Sequence, residues 1–92
     1  MIKLATTDDT LTAVDLLRSF LKETSYSQAE EASQNFEHLC KIVWMTLQHG
    51  YLWLAYVDEK PAGLLMAIKE PNIWLPRAKE LKELVWYIRP EY

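Results

Sequence analysis

The pattern of apolar and polar positions predicts one short strand followed by two helical regions. Ile2 to Thr6 alternates between apolar and polar residues, as in a strand that is covered on one face. Cap-type residues follow at 7–9, and their negative charges suit a helix N-terminus. The next apolar positions recur at three- and four-residue steps: Leu11, Ala13, Val14, Leu16, Leu17, Phe20 and Leu21. This spacing predicts an amphipathic helix of roughly four turns.

The second helical region begins with a recognisable start signal. Ser27 and Glu30 have the spacing of a capping box, in which each side chain accepts a hydrogen bond from the other residue's backbone N–H. The core stripe predicted after it comprises Phe36, Leu39, Cys40, Val43, Trp44 and Leu47. Gly50 stands where a glycine commonly ends a helix.

The remainder of the chain has strand character. Tyr51 to Val57 alternates, Asp58 to Pro61 is a polar turn, and Ala62 to Ile68 is an apolar run typical of a strand covered on both faces. These segments predict a β-hairpin. After a loop at 71–76 with two prolines, Lys79 to Ile88 predicts a long last strand that is polar early and apolar late.

The predicted order is therefore strand, helix, helix, strand, strand, strand. Because both helices come early and short connections join the later strands, we expect an α+β fold with a mainly antiparallel sheet. Residues 1–92 contain no linker and no internal repeat, so we interpret them as a single domain.

Composition narrows the class of protein. Half of the 92 residues are apolar and the formal net charge is −3, which is typical of a globular domain. This charge argues against a nucleic-acid binder, whose affinity depends on a basic face. Cys40 is the sequence's single cysteine, so an internal disulfide is excluded. No signal peptide and no bilayer-spanning apolar run is visible, and we expect a cytoplasmic protein without a membrane partner.

Two segments carry a resemblance to a known family. The hairpin "YLWLAYVDEKPAGLLMAI" and the final "ELVWYIRPEY" resemble the N-terminal half of the GNAT (Gcn5-related N-acetyltransferase) superfamily, which has the same order of strands and helices. Members often continue after Pro-Glu-Tyr into an arginine and a glycine-rich phosphate-binding loop, whereas this sequence ends there. The resemblance implies a truncated GNAT-like domain from an enzyme that transfers acetyl from acetyl-CoA to a primary amine. Without the loop, we expect the 92 residues alone to be inactive.

The resemblance also implies roles for residues of the last strand. Glu83 matches a glutamate that acts as general base in some members, and the alternative is a solvent-facing glutamate beside Lys82. Tyr87, Ile88 and Arg89 match the stretch whose backbone pairs with the pantetheine arm of acetyl-CoA, usually at a β-bulge. Ordinary strand pairing is the alternative for those three residues.

Substrate-binding and metal-binding candidates are fewer. In the family, acceptor residues come from the region between the helices and from the connection before the last strand, which implies Tyr26, Trp74 and Trp44. Trp44 lies on the helical stripe and is better interpreted as core, and Trp74 is equally consistent with a loop anchor. His38 and Cys40 are two residues apart and point to different sides of a helix, so we expect no metal site.

Two other interpretations remain open. A half-GNAT without catalysis would expose the edge of its last strand and form a homodimer or bind a partner chain there. An unrelated α+β domain would show a regular last strand, with no bulge near Tyr87 to Arg89.

Overall fold

The computed structural model describes residues 1–24, 29–71, 74–75 and 77–92, with only the backbone of residues 29 and 30. Its elements are β1 (Ile2–Leu4), a 3-10 turn (Thr7–Asp9), α1 (Thr10–Glu23), α2 (Ala29–Ser33), α3 (Phe36–His49), β2 (Gly50–Val57), β3 (Lys60–Pro71) and β4 (Lys79–Ile88). The predicted α+β order is confirmed, with the second helical region divided into α2 and α3. The predicted capping box at 27–30 lies outside the described residues.

The four strands form one antiparallel sheet in the order β1-β2-β3-β4. A two-residue turn joins β2 to β3, since Val57 pairs with Lys60. Asp58 and Glu59 in that turn have φ of 50° and 66°. Positive φ at both central residues gives the turn the twist that an antiparallel hairpin needs. The predicted hairpin is therefore confirmed.

The helices cover one face of this sheet, which we call the core face. Leu52, Leu54, Leu64 and Met66 lie on it and are at most 2% exposed. α1 and α3 supply the opposing layer, mainly through residues that are themselves buried: Ala13, Val14, Leu16, Leu17, Leu39 and Val43. Alternation along the strands sends the intervening side chains to the opposite side. We call that side the open face, and it carries Ile2, Leu4, Trp53, Leu65, Trp86 and Ile88.

The predicted core stripe of α3 is too wide. Leu39, Val43 and Thr46 are at most 2% exposed, whereas Phe36 is 44% and Trp44 is 51% exposed. At about 100° per residue, Trp44 lies roughly 140° around the helix from Leu39 and so faces away from the sheet. Its Nε1 donates a hydrogen bond to Thr10 Oγ1 at 3.1 Å. The core interpretation of Trp44 was wrong because the apolar stripe exceeds the part that touches the sheet.

Candidate functional site

β4 is the edge strand of the sheet, and its C-terminal end is tightly joined to β3. Tyr87 pairs with Leu64 and Ile88 with Gly63. The Arg89 N–H donates to the carbonyl oxygen of Ala62 at 2.8 Å, which extends the pairing past the end of the strand. Because N–H groups alternate between the two sides of a strand, the Ile88 N–H is directed away from β3, towards the outer edge.

A β-bulge interrupts β4 three residues before Tyr87. Val85 pairs with Met66 and Glu83 with Ala67, so Leu84 is an extra residue. The structure therefore has its bulge at Leu84, and the expected position at 87–89 was wrong. Regular pairing at that end follows from the burial of Tyr87 on the core face and from the backbone bond of Arg89, which together hold β4 in register with β3.

Gly63 explains how closely the two strands approach. A methyl group at this position would lie 2.5 Å from the carbonyl oxygen of Tyr87 and 2.5 Å from Ile88 Cδ1. These separations are too short for van der Waals contact, so the end of β4 keeps its position only with glycine in β3.

Glu83 lies on the solvent side of this strand. Its side chain is exposed, and its pairing with Ala67 places it on the open face. Tyr87 lies on the core face, so the two side chains point to opposite sides of the sheet. The general-base role of Glu83 stays a prediction.

Tyr87 is the most constrained of the three predicted cofactor-binding residues. It is 8% exposed and packs edge-to-face on Phe20, with ring centroids 5.9 Å apart. It lies beside Glu23, the last residue of α1, in the lining of the same cavity. Burial, followed by this contact with Glu23, raises the pKa of Tyr87 to about 12.

Arg89 joins the end of β4 to the middle of α1. Its Nη2 donates to Asp15 Oδ2 at 2.6 Å, a short ion pair with a partly buried guanidinium. Arg89 Nε is buried and has no hydrogen-bond partner among the described residues. Ile88, between these two anchored neighbours, is 48% exposed on the open face.

Two adjoining cavities lie where the C-terminal end of α1 meets the end of β4. The smaller, of about 330 Å³, is lined by Phe20, Glu23, Thr24 and Tyr87. The larger, of about 470 Å³, is lined by Ser19, Lys22, Glu23, Tyr87, Arg89, Pro90 and Glu91. Both share Glu23 and Tyr87, and we call the pair of cavities the α1–β4 cleft. Sequence reasoning missed Glu23, because nothing in a single sequence links it to a tyrosine 64 positions away.

The remaining predicted residues do not meet in this cleft. Trp74 is 83% exposed in the connection before β4. Tyr26 lies outside the described residues. A separate cavity of about 380 Å³ lies on the open face and includes Trp53, Trp86 and Ile88 in its lining.

Two further properties concern the described part of the chain. None of its helices combines the length and apolar character that crossing a membrane requires. Within the same residues, no three His, Cys, Asp or Glu side chains are grouped closely enough to bind a metal ion. Cys40 is a buried free cysteine on α3.

Solved structures of proteins described as acetyltransferases have the same fold as this chain. A possible acetyltransferase from Clostridium difficile 630 superposes with a TM-score of 0.76 at 24% identity, over 100% of this chain and 59% of that one. The fold is that of a GNAT-type acetyltransferase. An acetyltransferase of the GNAT family from Streptococcus pneumoniae gives 0.65 at 17% identity, over 100% of this chain and 56% of that protein.

A third similar structure was determined with acetyl-CoA. It is a predicted acetyltransferase from Clostridium acetobutylicum, with a TM-score of 0.71 and 12% identity, over 99% of this chain and 60% of that one. The chain thus spans about three fifths of the length of each of these proteins. No family model matches the sequence, and no curated protein matches it either.

Proposed function

We propose that this chain is the N-terminal half of an N-acetyltransferase that moves acetyl from acetyl-CoA to a primary amine. The observation that carries the proposal is the likeness of the whole chain to acetyltransferases, one of them determined with acetyl-CoA. The geometry of β4 supports it, because the strand presents an outer edge that no described strand pairs with.

In this proposal the outer edge of β4 binds the pantetheine arm. Its two amides would pair with the backbone as an added strand does. The Ile88 N–H, directed away from β3, is the donor for the thioester oxygen and stabilises the negative charge that develops there during attack. Tyr87 and Arg89 hold Ile88 in place, since their own N–H groups point towards β3.

The chemical steps then follow from acyl transfer. The amine loses a proton, its lone pair attacks the thioester carbon, and the tetrahedral intermediate expels the coenzyme A thiolate, which takes up a proton. We assign the first proton to Glu83, directly or through water, for an amine that approaches along the open face where this side chain lies. Gly50 and Gly63, the sequence's two glycines, are isolated, so these 92 residues hold no glycine-rich phosphate-binding loop and we expect them to be inactive alone.

The direct test is calorimetric titration of the chain with acetyl-CoA, with its mass in solution measured in parallel. Saturable binding is the expected result. Ile88→Pro removes the N–H that faces outward, and proline is tolerated at such positions of an edge strand. It should weaken binding about tenfold, whereas Ile88→Val, which keeps the N–H, should not. Equal binding by both variants would overturn the role given to this backbone group.

A second candidate function is a non-catalytic half-GNAT that dimerises or binds a partner chain. The exposed apolar residues of the open face and the unpaired edge of β4 favour it. The same titration separates the two candidates. Absence of acetyl-CoA binding, together with a dimeric mass, would support the interaction module for these 92 residues and reject the binding of acetyl-CoA along β4.

A further inference from the structure

Arg89 ties the end of β4 to three other parts of the molecule. Its N–H donates to the carbonyl oxygen of Ala62 at 2.8 Å, and its own carbonyl oxygen accepts from the Tyr92 N–H at 3.0 Å. Its side chain adds a third contact, because Nη2 donates to Asp15 Oδ2 at 2.6 Å across 74 positions of the sequence. Arg89 is therefore held from β3, from the turn that follows β4 and from α1.

We propose that Asp15 is a positioning residue for acetyl-CoA, which acts through Arg89 to hold the Ile88 N–H in place. This inference rests on the proposed function, because the Ile88 N–H is the donor that we assign to the thioester oxygen. It adds to that function a residue that acts from a helix and not from the strand that binds the cofactor.

The conformation of the Arg89 side chain depends on Asp15. That side chain is 23% exposed, and its Nε is buried with no hydrogen-bond partner among the described residues. A buried donor without a partner costs free energy, so the attraction to Asp15 has to offset that cost. When the carboxylate is removed, we expect the guanidinium to turn out to water and its hold on β4 to end.

α1 is a rigid support for this ion pair. Asp15 lies near the middle of the helix, and its two neighbours, Val14 and Leu16, are at most 2% exposed in the core. A side chain on a packed helix is placed more precisely than one on a loop. The carboxylate therefore gives the end of β4 a fixed reference point.

The end of β4 needs such a reference point. Within the described sheet this strand pairs only with β3, and Ile88, opposite Gly63, is its last paired residue. Terminal pairs of an edge strand open most readily. Burial of Tyr87 anchors the residue before Ile88, and the ion pair of Arg89 anchors the residue after it. Loss of the second anchor displaces a donor whose effect depends on its exact position.

The test compares acetyl-CoA with coenzyme A by calorimetric titration of the 92-residue chain. Coenzyme A has the same pantetheine arm but no thioester oxygen. Asp15→Asn should weaken acetyl-CoA binding about threefold, within the range of a partly exposed ion pair, and should leave coenzyme A binding unchanged. Asp15→Glu keeps the charge and should restore most of the affinity. Glu37→Gln, which breaks the exposed ion pair with Lys41 on α3, is the matched control and should change neither titration.

Amide hydrogen exchange measures the same anchor without any ligand. The Arg89 N–H is protected by its bond to the Ala62 carbonyl, and Asp15→Asn should speed its exchange about threefold. The Ala5 N–H, bonded to the Leu52 carbonyl at 2.8 Å on the other side of the sheet, should exchange at the wild-type rate.

Each contrary result has a distinct meaning. Equal weakening of acetyl-CoA and coenzyme A by Asp15→Asn would show a general loss of structure and overturn the positioning role. An unchanged exchange rate of the Arg89 N–H would overturn the anchor, whatever the titrations give. Acetyl-CoA binding that Asp15→Asn leaves unchanged would reject this inference and leave the proposed function standing. Absence of acetyl-CoA binding by the wild type would reject both.

Discussion

The core face and the open face of the sheet carry similarly apolar side chains and differ in what covers them. Leu54 and Met66 are fully buried under the helices, whereas Ile2 and Trp86 on the other face are 73% and 69% exposed. Burial of apolar area is the main stabilising term in folding, at about 25 cal/mol per Å². Stability therefore depends mainly on the core face, and the open face is the surface on which association would depend.

The largest expected effect comes from a matched pair of neighbours in β3. Leu64→Ala on the core face should destabilise the fold by about 2–5 kcal/mol, because it leaves a cavity under the helices. Leu65→Ala on the open face should cost less than about 1 kcal/mol, since water can fill the space. Urea denaturation of both variants measures the difference. Equal losses would show that the open face is packed as tightly as the core face.

Gly63→Ala tests a close-packed part of the open face, where β3 meets the end of β4. The added methyl group would press on Ile88 and on the Tyr87 carbonyl, so we expect a loss of about 1–3 kcal/mol in the free energy of unfolding. Adding Ile88→Val removes Cδ1 but not the carbonyl contact, and should recover less than half of that loss. Full recovery would mean that the backbone of β4 moves freely.

A charge on the open face should change association more than stability. Trp86 and Leu11 are both 69% exposed, the first on the open face and the second on α1. In the interaction-module candidate, Trp86→Lys shifts the chain from dimer to monomer in analytical ultracentrifugation, and Leu11→Lys does not. A wild-type chain that is already monomeric at high concentration would contradict that candidate.

The smallest effect is a pH dependence confined to the core face. The pKa of Tyr87 is raised from its ordinary value of 10.0 to about 12, first by burial and then by Glu23, so folding favours the protonated phenol. This contribution to stability is complete below pH 10 and is lost as pH rises from about 10 to 12. Chemical denaturation across that range should show a steeper decline for the wild type than for Tyr87→Phe. If the stability of both proteins fell equally over this pH range, the raised pKa of Tyr87 would be contradicted.

The sequence predicted the helices and strands better than it predicted which residues contact each other. The bounds of β4, Lys79–Ile88, followed from its local pattern alone. The turn at 58–61 was predicted too long, because Lys60 and Pro61 pair with β2 and leave a turn of two residues. Trp44 was misplaced because helical spacing shows which residues share a face, not how much of that face a neighbour covers.

Features that depend on two distant segments were beyond a single sequence. The extra residue Leu84 exists only relative to the pairing partners in β3, and the cavity lined by Glu23 and Tyr87 lies between two elements. The resemblance implied a cofactor-binding role at the end of β4, which stays a prediction, but not which backbone group faces outward. That detail follows from the bond between the Arg89 N–H and the Ala62 carbonyl.

The bulge at Leu84 also bears on how this strand tolerates changes in length. Removing one residue from a regular strand inverts the facing of every side chain on one side of the deletion. Deleting Leu84 would instead leave Glu83 opposite Ala67 and Val85 opposite Met66, so both parts of β4 would keep their phase. Deleting Trp86 would instead turn the side chains on one side of the deletion to the opposite face of the sheet. Relatives that differ by a single residue in this strand should therefore carry the change at position 84.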